Sequence, residues 1–346
     1  MAAATETHRS EVLPSHFLSA IRRILAGADL PEALPEVTPL AAGGNNRVYL
    51  VCAGDSSYVA KWYYNDAAVF RERMRAEYEF ITHARRFGID CVPSAIGCDP
   101  SLQLAVYERI PGVRLVPEKV TATWVIEAAR FFAQLNASAV RMAGTHLQPA
   151  SDACFSVMEH VESVDRRMER LSGLDAQTQL DHRAADLISK LGRTWETVKQ
   201  NLTCEDGPDA LPDNWRCLSP SDFGFHNALL REDGVLCFLD FEYAGWDDPA
   251  KMIGDFFSHP GVTAPAEHLE SFINVALEPF ADAKGIAARA RRLMKVAGIR
   301  WCCIVLNDFL PQVASRRQFA DPGSNPEDRK RRQLAKAEHM LSKIIS

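Results

Sequence analysis

The stretch from Leu218 to Asp255 constrains the fold more than any other: LSPSDFGFHNALLREDGVLCFLDFEYAGWDDPAKMIGD. Its REDG tetrad divides two β-type runs, so Ala228–Leu230 and Val235–Leu239 are predicted to form a hairpin. Asn227 then precedes the first strand and Asp240 closes the second. The hairpin returns both oxygen-bearing side chains to the same end. Asp222 stands just upstream, on the aromatic-rich loop that leads in.

An acid on a loop, facing an amide and a carboxylate beyond a hairpin, suits Mg²⁺-dependent phosphoryl transfer. Mg²⁺ is a hard cation that takes one or two carboxylates plus phosphate and water oxygens. Asn227 and Asp240 are the candidate ligands. The transfer also needs a carboxylate to orient the attacking hydroxyl and accept its proton, and Asp222 is the candidate. A plainer reading makes Asp222 a turn residue and Asp240 a strand-end cap. D-x4-N alone recurs by chance, so the rest of the chain has to separate the two.

Leu40 to Tyr64 reads as a second hairpin, RVYLVCA and YVAKWYY about a GDSS turn. Gly43 and Gly44 at its entrance would let backbone N–H groups approach a phosphate. Lys61 lies in the second strand with alternating neighbours, so its side chain has one defined face. It is read either as a phosphate-binding lysine or as a solvated one. Ala67 to Phe87 is helical and stops at Gly88. Glu77 lies at the edge of its apolar stripe, where it can pair with Lys61. Glu72 and Glu79 compete for that role. Leu102–Tyr107 reads as a strand ended by Ile110-Pro111-Gly112. Ser15–Ala26 is predicted to be a short leading helix, ended by PEALPEVTP. The remainder is mostly helical, over about 121–143, 155–172, 181–202, 265–278, 287–310 and 329–345.

With 346 residues, 47% of them hydrophobic, the chain can bury the core of one large domain or two lobes. Its net charge of -6 argues against a dedicated nucleic-acid binder. Nine cysteines are scattered without CxxC or zinc spacing, as expected for reduced thiols in a cytoplasmic protein. No apolar run of signal-peptide type or membrane-span length is present.

Taken in order, GGNNRVY, VAK, the helix with Glu77, YERIPG, SDFGFHN, FLDFE and DDPAKMIGDF resemble the aminoglycoside phosphotransferase/choline kinase-like superfamily of small-molecule kinases. The resemblance runs from about Leu40 to Pro311. It implies an α+β, bilobal protein-kinase-like fold with a small β-rich N-lobe and a larger, mainly helical C-lobe. The expected division is a leader over 1–39, a nucleotide-binding lobe over 40–107 and a catalytic lobe over 108–346. It further implies that Gly43, Gly44 and Asn46 cover the phosphates of ATP. Lys61 would bind the α- and β-phosphates and pair with Glu77. Val106 to Ile110, including Tyr107 and Glu108, would form the adenine hinge. Asp222 would be the base, and Asn227 and Asp240 would hold Mg²⁺. Asp248 and Asp255 would support the catalytic loop without ligating metal. The family usually writes His-Gly-Asp or His-Asn-Asp where this chain has Pro220-Ser221-Asp222. The chain therefore need not belong to an antibiotic-modifying branch. The expected partner is a small hydroxyl-bearing acceptor such as a sugar, amino alcohol or aminoglycoside. The alternative is a nucleotide-binding pseudokinase with a regulatory or scaffolding role.

Overall fold

The computed structural model describes residues 13–28, 35–40, 46–64, 72–204, 210–311, 313, 317, 323 and 325–345. Helix α1 (Ser15–Gly27) buries Phe17, Ile21 and Leu25, one side of its 3.6-residue period, against a five-stranded antiparallel sheet. That sheet contains β1 (Glu36–Pro39), β2 (Arg47–Ala53), β3 (Ser56–Trp62), β4 (Ala95–Asp99) and β5 (Leu104–Glu108), in the order β1-β2-β3-β5-β4. Glu36–Pro39 was expected in a leader but pairs with β2 as an edge strand. Pro39 ends that strand, where a missing N–H interrupts no ladder.

Helix α2 (Arg73–Arg86) covers the other side of the sheet. Its expected start at Ala67 lies outside the described residues. The strand expected from Leu102 begins at Leu104. Pro100–Leu102 forms a 3₁₀ turn instead, and Gln103 takes a left-handed φ of 51°. Beyond β5 the chain enters a second sheet through β6 (Val113–Arg114).

The helical part opens with α3 (Ala122–Leu135) and α4 (Ser138–Ala143), which the sequence suggested as one helix. The break is at Asn136, whose buried side chain is committed to β7, described below. Next come α5 (Val157–Ser172) and α6 (Gln179–Cys204), and then β7 (Cys217–Ser219). The predicted hairpin is present as β8 (Ala228–Leu230) and β9 (Leu236–Phe238), with β6 added to give the order β6-β8-β9. β10 (Gly245–Asp247) pairs with β7. Helices α7 (Pro249–Ser258), α8 (Leu269–Ala276), α9 (Ala283–Leu306) and α10 (Pro326–Ile345) complete the chain. α8 is shorter than the expected 265–278 because Ala266–His268 is a 3₁₀ turn. α9 is buried along most of its length and packs on α5, α6, α7 and α10. Among the described residues no helix is long and apolar enough to cross a membrane.

Candidate active site

Strand alternation aims Lys61. Ala60 faces the α1 side of the sheet, so its neighbour Lys61 faces α2, as do Ala105 and Tyr107 on β5. α2 brings Glu77 under that face. Lys61 Nζ donates to Glu77 Oε2 at 2.6 Å and also to Asp240 Oδ1. Tyr63 donates its hydroxyl to Glu77 Oε2 at 2.7 Å and lies 2.9 Å from the Tyr107 hydroxyl. Glu72 and Glu79, the competing acids, pair instead with Arg75, at 3.7 and 2.7 Å.

Burial opposes the Lys61 ammonium, but Asp240, Glu77 and Glu242 outweigh it and hold its pKa well above the usual lysine range. Burial also pushes the Asp240 carboxyl up, to about 6. Lys61 offsets this in part, and Glu242 and Glu77 add to it. Lys61 is shared between Glu77 and Asp240, so it compensates Asp240 only in part.

The residues expected to meet nucleotide divide into three groups. Gly43 and Gly44 lie outside the described residues. Asn46 is buried and donates to Glu242 Oε2 at 2.8 Å, while its Oδ1 accepts from the Tyr64 N–H at 3.2 Å. Tyr107 and Ile110 are buried, and Glu108 accepts from the Ser94 N–H and hydroxyl at 3.0 and 2.8 Å. The side chains of Tyr107 and Glu108 are thus tied into the fold.

The loop carrying Asp222 is held at both ends. Upstream, the Asn136 amide brackets Leu218 of β7: its Oδ1 accepts the Leu218 N–H at 2.8 Å and its Nδ2 donates to the Leu218 carbonyl at 3.0 Å. Ser221 then adopts φ 65°, and its N–H donates to Ser219 Oγ at 3.1 Å. This left-handed turn favours glycine, which explains the Gly of the family's usual His-Gly-Asp at the place of Ser221. Downstream, Phe223 and Phe225 pack on Phe256 of α7, with centroids 5.1 and 5.3 Å apart.

Asn227 Nδ2 donates to the Asp222 carbonyl at 3.0 Å, which leaves its Oδ1 available as a ligand. The Asn227 carbonyl in turn accepts the Leu239 N–H at 2.8 Å, which brings Asp240 alongside. Asp240 has φ 68°. One amide oxygen and one carboxylate, next to a second acid bonded to the same lysine, form a hard and electron-rich donor set. That set fits Mg²⁺.

Asp222 itself faces two imidazoles. His226 Nε2 lies 3.3 Å and His259 Nε2 3.6 Å from Asp222 Oδ1. The two rings stack at 3.5 Å with 8° between their planes. Burial works against ionisation of Asp222, but His226, His259 and Asn227 outweigh it and bring its pKa down to about 2. It is therefore a carboxylate at neutral pH, ready to receive a hydrogen bond from a hydroxyl.

The acids after Asp240 sit beneath this loop. Asp248 caps α7 through the Ala250 N–H at 2.8 Å and accepts from Arg289 at 2.7 Å. Asp255 accepts from Arg300 at 2.5 Å and from Trp301 Nε1 at 2.8 Å. They fix α7, and α7 supports the loop through Phe256.

Four site residues were not assigned from sequence. Tyr63 follows the Lys61 strand, and its bond to Glu77 has no signature in the local pattern. Glu242 lies in the FLDFE motif, and only the fold reveals its bond to Asn46. Asn136 is hidden inside an otherwise continuous helical period. His259 arrives from the end of α7 with no local pattern around it.

A family model described as the phosphotransferase enzyme family matches residues 36–274. A search of curated proteins finds no match. Among solved structures, an ethanolamine kinase from Plasmodium vivax superposes with TM-score 0.59 at 14% identity, covering 94% of this chain and 87% of that one. A choline kinase from Cryptosporidium parvum Iowa II gives 0.57 at 13%, covering 93% and 96%. A spectinomycin phosphotransferase in complex with ADP and spectinomycin gives 0.55 at 13%, covering 96% and 99%. At these identities the structural likeness is one of fold, and it matches the expected bilobal α+β architecture. The family match is longer than half of the sequence, and on it the chain belongs to the phosphotransferase enzyme family.

Proposed function

We propose that the protein is a small-molecule kinase that moves the γ-phosphoryl group of ATP, with Mg²⁺, to a hydroxyl of its acceptor. One observation carries this reading: residues from four separate segments meet in one continuous set of contacts. Glu77 holds Lys61, and Lys61 meets Asp240. Asn227 ties to Asp222 on one side and to Leu239, the neighbour of Asp240, on the other.

In this reading Lys61 binds the α- and β-phosphates, and Glu77 and Tyr63 fix its direction. The main chain of Val106–Ile110 meets the base. Asn227 Oδ1 and the Asp240 carboxylate hold Mg²⁺, which neutralises charge on the phosphates when bound. Asp222 receives the hydrogen bond of the acceptor hydroxyl and takes its proton. Catalysis is then mainly alignment and charge neutralisation.

The named structural relatives include an ethanolamine kinase, a choline kinase and an antibiotic phosphotransferase, so the fold leaves the acceptor open. Amino alcohols, sugars and aminoglycosides are therefore the pools for a screen.

The test is Mg²⁺-ATP consumption against those pools, with Asp222→Asn alongside. Acceptor-dependent turnover should fall roughly 10²–10⁴-fold in the variant while nucleotide still binds. Wild-type turnover in Asp222→Asn would remove Asp222 from the base role. Stabilisation by Mg²⁺-ATP with no turnover on any pool would favour the pseudokinase alternative.

A further inference from the structure

Asp222 Oδ1 is a buried oxygen with no well-formed hydrogen bond. The ring nitrogens nearest to it belong to His226 and His259. His226 belongs to the same loop. His259 comes from the end of α7, and its ring is held from several sides. It stacks on His226, and Trp301 meets it edge-on at 4.4 Å and 79°. The His259 backbone N–H donates to the Asp255 carbonyl at 2.9 Å, which closes the last turn of α7. The Gly261 N–H donates to its Nδ1 at 3.0 Å.

That last bond decides the tautomer. A backbone N–H only donates, so Nδ1 is the acceptor and the proton of the neutral ring sits on Nε2. Nε2 is the atom that faces Asp222. The same point weighs against a transition-metal site here, although Asp222, His226 and His259 bring ligand atoms within 4.8 Å of one another. A protonated Nε2 has no lone pair to give.

We propose that His259 is a positioning residue for Asp222: its Nε2–H holds Oδ1 and so turns Oδ2 toward the acceptor hydroxyl. The contact is long at 3.6 Å, and catalytic hydrogen bonds of this kind shorten when the reacting complex forms. The role resembles that of any group that orients a base without exchanging a proton itself. It also gives this loop an orienting group beside Pro220-Ser221, where the family usually has His-Gly. The inference rests on the reading of Asp222 as the base.

Two variants separate donor from shape. His259→Phe keeps a ring against His226 but has no donor, and His259→Gln restores an N–H. With an acceptor from the screen, His259→Phe should lower kcat about tenfold with KM for Mg²⁺-ATP unchanged, and His259→Gln should recover most of that loss. The proposal is overturned if His259→Phe keeps full kcat. It is also overturned if both variants lose kcat equally and in step with their melting temperatures. Should Asp222→Asn retain turnover, the base assignment fails first. A second measurement needs no acceptor: ¹⁵N-histidine NMR of the full chain. His259 should show Nε2–H with an unprotonated Nδ1, and the Nε2–H signal should move in Asp222→Asn. The opposite tautomer, or an unmoved signal, overturns the proposal whatever the turnover.

Discussion

Two clusters of charged side chains lie near the Asp222 loop, and they are built differently. Under the loop, Asp247, Asp248 and Asp255 meet Lys251, Arg289 and Arg300, and each acid has a cation within 2.7 Å. All six side chains are at most 9% exposed. In the cleft, Lys61 is the one cation among the described residues that pairs with both Glu77 and Asp240, and the Asp240 side chain is 36% exposed. The first cluster is balanced and closed, which is what a scaffold needs once charges leave water. The second is short of positive charge and open at one acid. Burial and ion pairing are common to both, so neither identifies a site. What sets the cleft apart is a carboxylate that solvent can reach, that of Asp240.

The comparison breaks most sharply if the scaffold cluster tolerates damage. Arg300→Leu leaves Asp255 buried with a lost partner and should cost about 3–5 kcal/mol in urea unfolding. Lys61→Met should cost no more than about half of that, because Asp240 can hydrate and Glu77 keeps the Tyr63 hydroxyl. Its main effect should be loss of thermal stabilisation by Mg²⁺-ATP. Equal destabilisation by the two would mean that the cleft cluster is scaffold as well.

A pH series sharpens the same contrast. Asp240 titrates at about 6 in the folded protein and near ~4 in an unfolded chain, so the folded state holds the proton more tightly. Its contribution to apo stability is present below about 4 and is lost as pH rises through about 6. Mg²⁺-nucleotide binding should strengthen over the same rise. Asp240→Asn should flatten the apo trend, and an unchanged slope would place the titration elsewhere. The smallest effect is expected at Ser221. Replacing it with glycine relieves a φ of 65°, worth ~1–2 kcal/mol, against ~0.5–1 kcal/mol of added chain entropy. The variant should be stabilised by up to about 1.5 kcal/mol, and a clear loss would show that the Ser221 side chain is bound in the fold.

Much of this was legible in the sequence where local pattern decides geometry. Strand alternation gave Lys61 one face, helical phase put Glu77 among three candidate acids for it, and the REDG turn set Asn227 beside Asp240. Pattern failed where a single polar residue overrides it. Asn136 divides a helix that its neighbours would continue, because its amide bonds better to Leu218 than to solvent. His259 has no periodic company, and only the packing of α7 against Phe223 and Phe225 brings it to Asp222. Ser221 conceals a glycine-type backbone behind an L side chain. Glu36–Pro39 was obscured by Pro35 and Pro39, which the ends of an edge strand accommodate.

The two sheets meet at more than the covalent crossing. The Cys91 carbonyl, just after α2, accepts the Phe238 N–H of β9 at 2.8 Å. Gly112, next to β6, lies so close to β8 that an added Cβ would stand 2.9 Å from the Leu230 carbonyl oxygen. The hairpin that carries Asn227 and Asp240 at its ends is thus tethered twice, to the segment after α2 through Cys91 and to the crossing strand β6.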